Sequence, residues 1–174
     1  SGHGLASLDD EELFLLTNDS DGDFIEDTAL SRTSIIERIA SFNPKTVTMF
    51  IDACYSGETR DSNDDELLIA SAKPVKLLED DSKLPDNFNM FSASQISQAS
   101  SSTKKETGVK NGIFSYYLMK GLEGSADLNK DRRITNGELY KYLSINVPKI
   151  ARSLHNREQE PFFKGDTNSV LVRF

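Results

Sequence analysis

Thr46-Val47-Thr48-Met49-Phe50-Ile51-Asp52-Ala53-Cys54-Tyr55-Ser56-Gly57 joins a continuously apolar, β-branched run to a small-residue turn that carries the only cysteine of the chain. The run from Thr46 to Asp52 reads as a strand buried on both faces, as in a parallel sheet. Open α/β sheets place their ligands beyond the carboxyl ends of such strands. A thiol at that point can meet substrate while a rigid scaffold holds it. Taken alone, Cys54 also has a plainer reading: free cysteine is among the most buried residue types and is then an inert structural thiol.

Outward from this strand, Leu13 to Thr17 is a short apolar run that predicts a strand, followed by an acidic loop from Asn18 to Asp27. Ser31 to Phe42 carries Ile35, Ile36, Ile39 and Ala40 at helical spacing, and Asn43-Pro44 ends it. Phe88 to Ala93 reads as a further buried strand, Gly112 to Glu123 and Asn136 to Ile150 as helices, and Asn168 to Phe174 as a last, alternating strand. Residues 58–87 and 94–111 are polar and read as long, mostly irregular excursions, which in compact domains are functional or mobile. Strands alternating with helices predict an α/β sandwich with a mainly parallel sheet. A chain of 174 residues fits one domain with a real core.

The charge balance, 20 basic against 28 acidic residues for a net −8, disfavours binding to a phosphate backbone, so nucleic acid is excluded as a partner. No apolar run is long enough to span a bilayer, and no membrane partner is expected. One cysteine permits no intrachain disulfide and no multi-cysteine zinc site; it suits a reducing compartment, so a cytoplasmic location is expected. The chain starts at Ser1 with no methionine, inside a motif, which predicts a cropped or processed piece.

The second small-residue motif is Ser1-Gly2-His3-Gly4. A cysteine becomes a thiolate at neutral pH only with help, and an imidazole supplies it by taking the proton or lowering the thiol pKa. Glycines beside His3 and after Cys54 let a peptide approach and leave main-chain N–H groups for an oxyanion; the amides of Gly4 and Cys54 are the candidates. His155 lies in a polar stretch and reads as surface.

Together, Ser1-Gly2-His3-Gly4 and Asp52-Ala53-Cys54-Tyr55-Ser56-Gly57 resemble the His and Cys motifs of caspase-like cysteine peptidases, closer to the metacaspase and bacterial branch than to animal caspases. The interval of roughly 50 residues is the caspase one. The resemblance continues through Phe91-Ser92-Ala93-Ser94, Gly112-Ile113-Phe114-Ser115-Tyr116-Tyr117-Leu118 and the segment from Asp127 to Glu138. It implies a caspase-like three-layer sandwich over 1–174, N-terminally incomplete because the first strands and helix normally precede the histidine motif. It also implies protein or peptide substrates, no cofactor required for the chemistry, and an intersubunit linker at 58–87. Cys54 would attack the scissile carbonyl, His3 would shuttle the proton, and water would release the acyl-enzyme.

Asp52 matches the position where the family places a specificity (S1) residue, and in metacaspases an Asp there accompanies cleavage after Arg or Lys. A buried carboxylate facing a guanidinium is sound physics for that preference; a strand-end Asp accepting loop amides is the alternative. Ser92 joins it in the expected pocket. The Ser92-Ala93-Ser94-Gln95-Ile96-Ser97-Gln98 stretch lacks the second pocket acid of the pattern. Arg60, Lys73, Lys76 and Lys83 would then be self-cleavage candidates.

Asp127, Asn129, Asp131, Thr135 and Glu138 supply oxygens at EF-hand loop positions 1, 3, 5, 9 and 12, with the Arg133 carbonyl at position 7, so 127–138 is an EF-hand-like candidate calcium site. Arg132 stands where the template has glycine, and a helix-capping turn is the other reading. Asp19-Ser20-Asp21-Gly22-Asp23 fails the template and reads as a solvated turn, and the match of Asp9, Asp10, Glu11 and Glu12 to the family's acidic calcium-activation region is loose. A catalytically inactive caspase-like regulatory module is the alternative function.

Overall fold

The apolar run at Val47 does form a strand, and the rest of the architecture is arranged around it. A computed structural model describes residues 2–6, 12–21, 24–54, 84–93, 112–155 and 159–174, with Ala6, Cys54, Leu154 and His155 placed by backbone alone. Along the chain run β1 (Gly2–Ala6), β2 (Leu13–Leu15), α1 (Ile25–Thr28), β3 (Leu30–Ser31), α2 (Arg32–Ala40), β4 (Val47–Ile51), β5 (Ala53–Cys54), β6 (Phe88–Ser92), α3 (Ile113–Lys120), β7 (Arg133–Thr135), α4 (Asn136–His155), β8 (Phe162–Lys164) and β9 (Val170–Arg173). Most of the 58–87 excursion, the 94–111 loop, Asp9 to Glu11, Asp23 and the basic residues Arg60, Lys73, Lys76 and Lys83 lie outside the described residues.

The strands form three hydrogen-bonded groups, ordered β3-β2-β1-β5, β4-β6-β8 and β7-β9. The first two meet on one stretch of backbone. Ile51 O accepts from Ala93 N at 2.9 Å on the β6 side, and Asp52 O accepts from Gly2 N at 3.0 Å on the β1 side.

The result is a mixed α/β fold, and the expected mainly parallel sheet is corrected. Among the described residues only β1–β5 and β4–β6 pair in parallel, while β1–β2, β2–β3, β6–β8 and β7–β9 are antiparallel. The short link from Ala6 to Leu13 is the physical reason at one edge: a parallel crossover needs about a dozen residues or more, whereas a hairpin does not.

Burial also differs from the expectation for β4. Val47, Thr48 and Met49 are half-buried and Phe50 is 38% exposed. The strand covered on both faces is β6, buried along its whole length between β4 and β8. Phe91 anchors it, with ring centroids 5.1 Å from Phe50 and 4.5 Å from Phe163.

Helix α4 carries Leu139, Leu143, Val147 and Ala151 on one stripe, all fully buried against Ile113 and Phe114 of α3, Phe91 and Ala93, and Ile134 of β7. Each buried Leu, Ile, Val or Phe among them contributes about 1.5–3 kcal/mol, which makes this the main core. A second cluster, Leu13, Ile51, Ala53 and Met90, sits under the β1–β5 junction. Helix α2 opens with Ser31 accepting from Ser34 N and is followed by Asn43 at φ 50°, the expected stop before Pro44. Helix α3 ends at Lys120, short of Glu123, and runs into a π-helical turn, Gly121–Ser125. No helix among the described residues is long and apolar enough to cross a membrane.

Candidate active site

The histidine motif folds as β1, and its parallel pairing with β5 sets Gly2 opposite Ala53 and His3 opposite Cys54. Paired strands lie about 4.7–4.9 Å apart, so the two candidate catalytic residues become lateral neighbours. His3 is exposed. Leu16 N donates to His3 O at 2.9 Å, so the His3 backbone faces β2, and the alternation of the strand turns the Gly2 and Gly4 amides toward β5. The Gly4 amide, a candidate oxyanion donor, is therefore turned into the β1–β5 ladder toward Cys54 and has to leave that pairing to meet an oxyanion.

The expected pocket residues fall at the same end of the sheet. Ser92 is buried and pairs with Ile51, one residue before Asp52. Asp52 occupies the break between β4 and β5 and is 5% exposed. Its Oδ2 accepts a hydrogen bond from Ser115 Oγ at 2.5 Å. Gly112, which opens α3, backs the carboxylate so closely that a Cβ there would lie 2.4 Å from Oδ2. The sequence places Ser115 and Gly112 in the Gly112–Leu118 motif and assigns them no role. Their signal was a glycine at a helix start with a hydroxyl one turn on.

The register sets the backbone of the histidine-bearing strand beside that of the cysteine-bearing strand, with the buried Asp52 carboxylate two residues before Cys54.

The EF-hand-like loop lies apart, between α3 and α4. Asp131 N donates to Asp127 Oδ1 at 3.2 Å and to Asn129 Oδ1 at 2.8 Å, Arg132 N to Asp127 Oδ2 at 3.1 Å, and Arg133 N to Asp131 Oδ1 at 2.9 Å. Arg132 makes the turn at φ 66° despite its side chain. Thr135 N and Oγ1 donate to Glu138 Oε2 at 3.0 and 2.9 Å while Glu138 N donates to Thr135 Oγ1 at 3.3 Å, a reciprocal cap on α4. Glu138 Oε1 is buried without a hydrogen-bond partner. Among the described residues no three His, Cys, Asp or Glu side chains converge to hold a metal ion.

Of the upstream acids, Glu12 is tied into the fold: Oε1 accepts from Leu13 N at 2.9 Å and Thr33 N at 3.3 Å. Burial alone would raise its carboxyl, but hydrogen bonds from Thr33, Leu13 and Ser31 outweigh this and hold it below the usual range. Asp19 accepts from Thr17 Oγ1 at 2.6 Å within a local turn.

A scan of the chain against protein-family models finds no match, and a search of curated proteins finds none.

Proposed function

We propose that this chain is a caspase-like cysteine endopeptidase in which Cys54 is the nucleophile and His3 the general base and acid. The observation that carries the reading is the strand register that sets His3 opposite Cys54. His3 takes the Cys54 proton, the thiolate attacks the scissile carbonyl, and the amides of Gly4 and Cys54 meet the oxyanion once they turn out of the β1–β5 pairing. His3 then protonates the leaving amine, and water, deprotonated by His3, hydrolyses the thioester.

Asp52 supports cleavage after Arg or Lys, because its buried carboxylate rewards a cation that fits it. Self-processing within 58–87 belongs to the same reading. Fluorogenic peptides with Arg, Lys or Asp at P1, given to the protein and to Cys54→Ala, test it. Cleavage after Arg or Lys that is lost in the variant supports both dyad and pocket. Cleavage after Asp retains the dyad and removes the pocket assignment, and no turnover at all favours the inactive module.

A weak calcium response at 127–138 is a second element, favoured by the buried, unbonded Glu138 Oε1. Glu138 has to turn toward Asp127 and Asp131 for all three to share an ion, which keeps the expected affinity low.

A further inference from the structure

We infer that Ser115 is a positioning residue that sets which oxygens of Asp52 meet a substrate cation, and so tunes the choice between Arg and Lys. The inference rests on the Asp52 pocket reading above and assigns it a second residue from a distant element.

Three observations carry it. Ser115 Oγ donates to Asp52 Oδ2 across 63 residues of sequence, from the first turn of α3 to the break between β4 and β5. The Asp52 side chain is almost fully buried, so its geometry is set by protein groups rather than by water. Gly112 packs against the same carboxylate, where a β-carbon would lie 2.4 Å from Oδ2 and 3.1 Å from Oδ1 and Cγ. Oδ2 is thus fixed by a hydroxyl and crowded by a bare backbone, two residues from the proposed nucleophile.

The chemistry of the two cations turns this clamp into a selectivity device. A guanidinium is a planar fork that wants two carboxylate oxygens in a fixed plane, whereas an ammonium is a compact point charge that tolerates rotation of its partner. Fixing Oδ2 therefore favours Arg. Freeing it costs Arg more than Lys.

A merely structural latch between α3 and the sheet predicts something different: removing Ser115 would lower the melting temperature and reduce both substrates alike. Ser115→Thr keeps the donor, Ser115→Ala removes it, and Gly112→Ala keeps the donor but pushes the carboxylate aside.

The test measures kcat and KM for matched P1-Arg and P1-Lys peptides. In parallel, calorimetry measures binding of Nα-acetyl-arginine amide and its lysine counterpart to the Cys54→Ala protein, with and without each substitution. Ser115→Ala is expected to weaken Arg binding and raise KM for Arg by about tenfold, the weight of one hydrogen bond to a charged group. Lys should change less, and Ser115→Thr should restore the difference. Gly112→Ala should resemble Ser115→Ala.

Equal Arg affinity with and without Ser115, or no Arg binding to either chain, overturns the inference. Full-rate cleavage after Arg in Ser115→Ala overturns it while leaving the peptidase reading standing. Arg binding that is lost in Ser115→Ala, from a protein that cleaves nothing, supports the inference and overturns the peptidase reading.

Discussion

His3 and Cys54 are Cα partners across a parallel strand pair, although roughly 50 residues of chain separate their motifs. The partnership is made by main-chain hydrogen bonds, among them Gly2 N to Asp52 O at 3.0 Å, rather than by the side chains that would do the chemistry. The spacing of His3 and Cys54 is therefore a property of the sheet, and substitutions at either residue should leave the frame intact.

That separation gives the first prediction. His3→Ala and Cys54→Ala should each abolish peptide cleavage while shifting the melting temperature little. Loss of general acid–base catalysis alone is worth about 10²–10⁴-fold. Iodoacetamide labelling followed by mass spectrometry should show Cys54 alkylated more slowly in His3→Ala; equal labelling rates would detach the histidine from the thiol.

Asp52→Ala should affect both function and stability. The Ser115 hydroxyl would lose its acceptor in a half-buried site, a cost of about 1–3 kcal/mol. Cleavage after Arg should fall at least as far as in Ser115→Ala. Chemical denaturation beside the P1 panel measures both, and unchanged Arg cleavage would remove Asp52 from the pocket.

Glu12 should make the fold sensitive to acid. Its carboxyl is held below the usual range in the folded chain, so the unfolded chain binds its proton first as pH falls. The stabilisation is fully present above the unfolded carboxylate value of about 4.3 and disappears as pH drops through the folded one. Glu12→Gln should accordingly be less stable than wild type at neutral pH, with the gap closing in acid. Melting curves between pH 7 and pH 3 check this, and a gap that widens in acid contradicts it.

Arg132 is the position to relieve in the 127–138 loop. A side chain in the left-handed region costs about 1–2 kcal/mol, so Arg132→Gly should raise the melting temperature. It also removes a positive charge from the candidate calcium site, and calorimetry at millimolar calcium should show a larger heat for Arg132→Gly than for wild type. Glu138→Gln should show none. No heat from any of the three discards calcium.

Much of this was legible where local chemistry decides the outcome. Ser31 before Ile35 and Ile36, and Asn43 before Pro44, mark the ends of α2 because a cap and a left-handed stop are encoded within a few residues. The run at Val47 predicted a strand correctly. Its burial was misjudged, because an apolar β-branched stretch looks the same whether one face or two are covered.

The glycine-rich Ser1–Gly4 motif gave no strand signal, and β1 owes its order to partners on both sides, β2 and β5, a tertiary effect that overrides propensity. The candidate dyad was visible as two motifs, and its adjacency awaited the register. The link from Ser115 to Asp52 was invisible because nothing local couples residues so far apart.

The switch of partners at Asp52, from β6 on one side to β1 on the other, has a consequence for control. The strand that bears His3 is also the strand that braces the segment bearing Cys54. A cut that trimmed the chain past His3 would act twice in one stroke, removing the proposed proton acceptor and the bracing of the segment that ends at Cys54.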